Sequence, residues 1–135
     1  MRGILPSWRS LLSMSDNDTT TATGHIAENL AARFLEKRGL AVKTRNYRCR
    51  GGEIDLVCRD GNALVFVEVR LRHNNGFGGA GASITRTKQR RIIHAAQHYL
   101  SAHRLHDSAC RFDCLLLDGT REQDIEWVKD AFSAD

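Results

Sequence analysis

The chain lacks any apolar run approaching the roughly 20 residues that a helix needs to span a bilayer, so no membrane segment is expected. Cysteine is sparse. Cys49 and Cys58 are separated by eight residues and Cys110 and Cys114 by three. Zinc ligands come in closer pairs, so a zinc site is not expected. A chain of 135 residues can bury a core without disulfides, and the four thiols are read as reduced, in keeping with a cytoplasmic protein. The opening "MRGILPSWRSLL" is not read as a secretory signal. Pro6 and Arg9 break its apolar segment, and no small-residue cleavage site follows cleanly. Met14 is a second candidate start. The following "SMSDNDTTTAT" is polar, Thr-rich and aperiodic, so residues 1–22 are expected to form a flexible tail and residues 23–135 a single domain.

Acid is scarce through the middle of the chain. Between Lys37 and Arg91 there are 13 basic and four acidic residues, and the acids are Glu53, Asp55, Asp60 and Glu68. From Asp118 onward the balance reverses, with six acidic and two basic residues. The net charge of +4 therefore hides a strongly basic body and an acidic end. Sixteen of the 20 cations are arginine, whose forked guanidinium suits phosphate. A solvated basic surface and a nucleic-acid partner both fit that balance.

The periodicities place the elements. Ile26, Ala27, Leu30, Ala31, Phe34 and Leu35 fall on one face of a helix, with Thr23 as its N-cap and Gly39 as its stop. Strands follow over roughly 41–47, 53–59 and 63–71, the last two joined at Asp60-Gly61, a hairpin signal. A glycine-rich loop leads to a second helix from about Thr85 to His103. A strand over 111–117 comes next, then "DIEWVKDAF" as a short strand with a terminal helical turn. The order α-β-β-β-α-β-β makes an α/β domain with a mixed β-sheet of about five strands flanked by helices.

The hairpin carries the chemistry. Side chains alternate across a strand, so Glu68 and Arg70 share a face, as do Glu53 and Asp55 on the neighbouring strand. The tight turn brings Asp55 near Glu68. Two carboxylates at neighbouring strand ends repel unless positive charge lies between them. A divalent cation meets that need, since Mg²⁺ takes one or two protein carboxylates and leaves its other positions to water and substrate phosphate. A salt bridge from Arg70 to Glu68 or Asp55 also meets it, and on spacing alone it is the more common arrangement.

"GGEIDLVCRDGNALVFVEVRLR" resembles the core of the YraN family, bacterial proteins of uncharacterised function with a PD-(D/E)xK nuclease-like fold. The likeness runs from about Gly24 to Phe132. It includes "GHIAENLAARFLEKRGL", "NYRCRGGEIDLV", the loop at Phe77-Gly78, "KQRRIIHAAQHYL", "CRFDCLLL" and "IEWVKDAF". That family is in turn similar to archaeal Holliday-junction resolvases and restriction endonucleases. The resemblance implies a restriction-endonuclease-like core and a metal-dependent endonuclease acting on DNA, branched DNA included, with Mg²⁺ or Mn²⁺ as cofactor. Asp55 and Glu68 would be the metal-binding acids and the main-chain carbonyl of Val69 a further ligand. Glu28 would be the acid brought from the first helix, and Arg70 stands in the place of the lysine. Arginine stays protonated and cannot act as a base, so the departure bears on turnover more than on metal binding. Ile54 stands where the signature has proline.

Other signals carry less. "GFGGAG" (Gly76–Gly81) follows its strand too distantly, and with no suitable acid downstream, for a dinucleotide loop. His94 and His98 lie one turn apart but lack the glutamate of a zinc protease and are expected at the surface. Trp127 and Phe132 are expected in the core. Arg72, Arg86, Lys88, Gln89 and Arg90, the last four at a helix start that favours phosphate, are the expected nucleic-acid contacts. An alternative is a nucleic-acid-binding or adaptor protein with weak or no catalysis. Another is a protein-interaction module whose acid–arginine cluster is structural. A resolvase would need two sites, hence a homodimer.

Overall fold

The computed structural model describes residues 16–72 and 84–134. The elements are α1 (Asp16–Lys37), β1 (Ala41–Cys49), β2 (Gly52–Asp60), β3 (Ala63–Leu71), α2 (Arg86–Ala102), β4 (Ala109–Leu117) and β5 (Ile125–Phe132). The expected α/β order holds. The loop at Gly76–Gly81, with Phe77 and Gly78, and the stretch before residue 16 lie outside the described residues.

The first helix starts at Asp16, ahead of the expected cap at Thr23, so residues 16–22 are helical where a flexible tail was expected. Once a turn exists, each added residue gains a hydrogen bond at little cost, and polar composition alone does not stop that growth. The other end is read correctly. Gly39 takes φ +94°, its N–H donates to the Glu36 carbonyl, and the Leu40 N–H donates to the Leu35 carbonyl. Leu40 and Leu35 are both buried in the same cluster, the contact that accompanies this cap.

The sheet runs β1-β2-β3-β4-β5. Only β3 and β4 are parallel, joined through α2. Along β3 the side chains alternate between two buried layers. Val65 and Val67 pack with Ala27, Ala31 and Leu35 of α1. Leu64 and Phe66 pack with Ile92, Ala95 and Tyr99 of α2. Helices thus cover both faces, and Glu68 continues the row that faces α2.

The carboxyl-terminal segment differs from expectation. A 3-10 turn at Glu122–Asp124 precedes β5, and β5 stays extended to Phe132 with no terminal helical turn. β5 pairs antiparallel with β4, and two β4 side chains add to that ladder. Asp113, fully buried on β4, accepts hydrogen bonds from the Trp127 indole N–H at 2.9 Å and the Asp130 backbone N–H at 2.9 Å. Phe132 stacks on Phe112 with ring centroids 4.9 Å apart. Trp127 and Phe132 are therefore packing residues, as expected, and both are half-buried.

At Gly52 the start of β2 passes directly beneath α2. A Cβ there would collide with the Arg91 carbonyl oxygen and lie 3.0 Å from the Ala95 nitrogen. Backbone cannot yield as a flexible side chain can, so the helix would have to move. Gly52→Ala is expected to destabilise the protein by about 1–3 kcal/mol, the usual cost of overpacking, read from thermal unfolding. Gly24→Ala is the control, because nothing lies within 4 Å of its Cβ position, and it is expected to be neutral or stabilising.

Candidate functional site

The Cα register of β2 and β3 runs from Asp60↔Ala63 to Leu56↔Val67 and goes no further. Past that pair the Val69 N–H donates to the Asp55 carboxylate, Oδ2 at 2.8 Å. A side chain thus takes the bond that a continued ladder would have used, and the strands part with Asp55 and Glu68 facing each other at the opening.

Glu68 is 4% exposed. Burial pushes its carboxyl up to about 8, with the Asp55 charge and a hydrogen bond shared with Asp55 acting in the same direction. Lys88 and Arg70 oppose the shift. Their cationic groups lie 3.5 Å and 3.7 Å from Glu68 Oε2. Burial and the Asp55 charge thus favour the protonated form of Glu68, and a cation placed beside it favours the charged form. Cys114 pairs with Glu68 in the β3–β4 register, and burial followed by the Glu68 charge pushes its thiol up to about 12. It stays a thiol and offers no thiolate.

Lys88 comes from the first turn of α2. The Thr85 hydroxyl caps that turn by accepting from the Lys88 backbone N–H at 3.1 Å. The Lys88 ammonium also lies 3.5 Å from Glu53 Oε1. Glu53 is shared further, with Arg91 at 3.7 Å and Arg48 at 3.9 Å. So Asp55, Glu68, Arg70, Lys88 and Glu53 form one network across β2, β3 and α2.

Other residues singled out in the sequence stand apart from it. The Glu28 carboxylate is engaged by β1, accepting from Asn46 at 2.6 Å and lying 3.9 Å from the Arg45 guanidinium. Arg72 is paired with the carboxyl-terminal segment. Its fork donates to Asp118 at 2.8 and 2.7 Å and to Glu126 at 2.8 Å. Those bonds hold its charge more firmly and keep the Asp118 carboxyl below its usual range. Arg86 and Arg90 are exposed at the start of α2, whereas Gln89 turns inward to donate to the Ile84 carbonyl at 3.1 Å. His94 and His98 are exposed as expected. His94 meets the Arg50 carbonyl, and His98 meets the Tyr47 hydroxyl.

Sequence reasoning placed Lys88 on a phosphate-binding surface and gave Glu53 no role. Two signals bear on both. Glu53 shares a strand face with Asp55, and the Thr85-x-x-Lys88 spacing sets Lys88 in the first turn of the helix that crosses that face.

Among the described residues no three His, Cys, Asp or Glu side chains converge as a metal cluster. A closed protein cage is therefore not built there. The pair Asp55–Glu68 is an oxygen donor set of the size that Mg²⁺ or Mn²⁺ uses when most of its shell is water and phosphate. Among the described residues no helix is long and apolar enough to cross a membrane.

The family model described as "Uncharacterised protein family UPF0102" matches residues 27–117. A UPF0102 protein of Dechloromonas aromatica is 60% identical over 124 residues, covering 92% of this chain and 99% of its own. One from Nitrosospira multiformis is 53% identical, covering 84% and 95%. One from Aeromonas hydrophila is 44% identical, covering 98% and 100%.

The Glu68 shift sets a pH dependence. Unfolded, the carboxyl releases its proton near 4.5, whereas folded it keeps it to about 8. The folded state binds more protons between those values, so the stability contributed by the protonated Glu68 is complete below the first and lost as pH rises through the second. In metal-free buffer, denaturant unfolding should show wild type losing stability across that window, and Glu68→Gln losing less. Parallel profiles for the two proteins would contradict the burial of a proton at this site.

Proposed function

The chain belongs to the uncharacterised protein family UPF0102, and we propose that it is a divalent-metal-dependent phosphodiesterase, an endonuclease acting on DNA, branched DNA included. The observation that carries this reading is the acid pair at the parted ends of β2 and β3, with one carboxyl buried and two cations beside it. Burying like charges is costly, and an oxygen-liganded cation with a phosphate substrate turns that cost into affinity. The resemblance of the hairpin to the PD-(D/E)xK site, which implies a restriction-endonuclease-like core, supports the same reading.

In this reading Asp55 and Glu68 hold Mg²⁺ or Mn²⁺, with the Val69 carbonyl as a further ligand. When bound, the ion polarises the phosphate and makes water a better nucleophile. The water oxygen forms a bond to phosphorus as the bond to the leaving sugar oxygen breaks. The proton that the attacking water loses would pass to solvent, and the leaving oxygen would take one from solvent. Arg70, permanently charged, neutralises the phosphate. The exposed Arg86 and Arg90 meet neighbouring phosphates, aided by the N–H groups at the start of α2. Arg72 clamps β3 to the acidic carboxyl-terminal segment, and Glu28 fastens α1 to β1, so in this reading both support the site from outside the acid pair. Cutting both strands of a junction calls for two sites, hence a homodimer.

Arg70 in the place of a lysine favours a second reading, a DNA-binding or adaptor protein with the same acid pair and little turnover. The test is incubation with linear and four-way branched DNA in Mg²⁺ and in Mn²⁺. Wild type is expected to cleave. Asp55→Asn and Glu68→Gln are expected to lose at least roughly a hundredfold, as when an electrostatic element of an active site is removed. Both should keep DNA binding that weakens as salt rises. Binding without cleavage selects the second reading, and absence of binding overturns both.

A further inference from the structure

Resting on the phosphodiesterase reading, we infer that Lys88 is the ammonium that meets the phosphate at the acid pair, and that Glu53 is its positioning residue. The site is then completed from α2 and not from the hairpin alone. Three features deliver Lys88 to it. The Thr85 cap fixes the first turn of α2 by binding the Lys88 backbone N–H. Gly52 lets that helix lie against the start of β2. The ammonium then sits between Glu53 Oε1 and Glu68 Oε2, 3.5 Å from each.

The chemistry of the two cations separates their tasks. Arg70 offers a planar fork, 3.7 Å from Glu68. Lys88 offers a compact point charge with three donors on a flexible stem. Glu53 and Glu68 engage two of those donors, and the third serves a phosphate oxygen. Glu53 is ringed by Lys88, Arg91 and Arg48, which makes it a counter-ion and not a metal ligand. It holds Lys88 away from full collapse onto Glu68 and so keeps that carboxylate accessible.

Lys88 and a divalent ion then compete for Glu68 but cooperate on substrate. Removing the ammonium should strengthen metal binding while weakening catalysis, a split that a merely structural side chain would not produce. The experiment pairs Mn²⁺ calorimetry with DNA cleavage for wild type, Lys88→Met, Lys88→Arg and Glu53→Gln. Lys88→Met is expected to bind Mn²⁺ several-fold more tightly and to cleave roughly a hundredfold more slowly. Lys88→Arg should recover part of the rate. Glu53→Gln should bind Mn²⁺ more weakly and lose roughly 10–100-fold in rate, as for loss of an outer-sphere partner. Wild-type cleavage in Lys88→Met, or Mn²⁺ affinity and rate falling together in both Lys88 variants, would overturn the inference and leave the phosphodiesterase reading standing. Wild type that neither binds Mn²⁺ nor cleaves would overturn that reading, and this inference with it.

Discussion

One carboxyl group, Glu68, is removed from water directly opposite another, and much of the α2 side of the sheet is arranged around that fact. A buried carboxylate without a partner is unstable, so it takes a proton, a cation or both. Glu68 has a carboxyl that burial and Asp55 push toward its protonated form, and two cations at the margin of ion-pair distance. Asp55 in turn is fixed by the Val69 N–H, which is available because β2 and β3 stop pairing at Leu56↔Val67. The cation from α2 arrives because that helix packs tightly over a glycine and is capped one residue before it begins.

The second buried acid, Asp113, shows what a purely structural carboxylate looks like in the same sheet. It accepts from Arg111 Nε at 3.1 and 3.2 Å, from the Trp127 indole at 2.9 Å and from the Asp130 backbone at 2.9 Å. Both oxygens are satisfied by donors in good geometry, and they tie β5 to β4. Glu68 has longer ion pairs and a neighbour of its own sign. Of the two, Glu68 retains capacity to bind something further. The acidic carboxyl-terminal end is likewise structural. Asp118 and Glu126 bind Arg72, and Glu122 binds Arg38 and Lys37, so the charge reversal seen in the sequence is largely internal pairing. Arg86, Arg90, Arg91 and Arg48 remain exposed on the α2 and β1 side.

Much of this was legible in the sequence because it rests on local periodicity. The 3.6-residue spacing of Ile26 to Leu35, the stop at Gly39 and the hairpin at Asp60-Gly61 each carry their own physical cause, and so does the opposition of Asp55 and Glu68. The start of α1 was not legible, since a polar Thr-rich stretch gives no sign of whether a helix will propagate through it. The extended end of β5 depends on Asp113, a residue far away in sequence that supplies its hydrogen bonds. Arg72 read as a phosphate contact because its partners, Asp118 and Glu126, lie more than forty residues on. The acidic partners of Lys88, Glu53 and Glu68, were hidden for a similar reason. The neighbouring Arg86 and Arg90 are exposed, and only the crossing of α2 over Gly52 turns the residue between them toward the acids.

The most direct measurement is Mn²⁺ titration calorimetry at neutral pH in two buffers of different ionisation enthalpy, on wild type and on the Asp55→Ala, Glu68→Ala double variant. Metal that binds the Glu68 carboxylate must displace the proton that burial favours on it. Wild type should therefore bind with a buffer-dependent heat close to that of one proton, and the double variant should give none. No binding by wild type, with DNA present as well as absent, would contradict a metal centre at Asp55 and Glu68 and leave the cluster an ion-paired structural element.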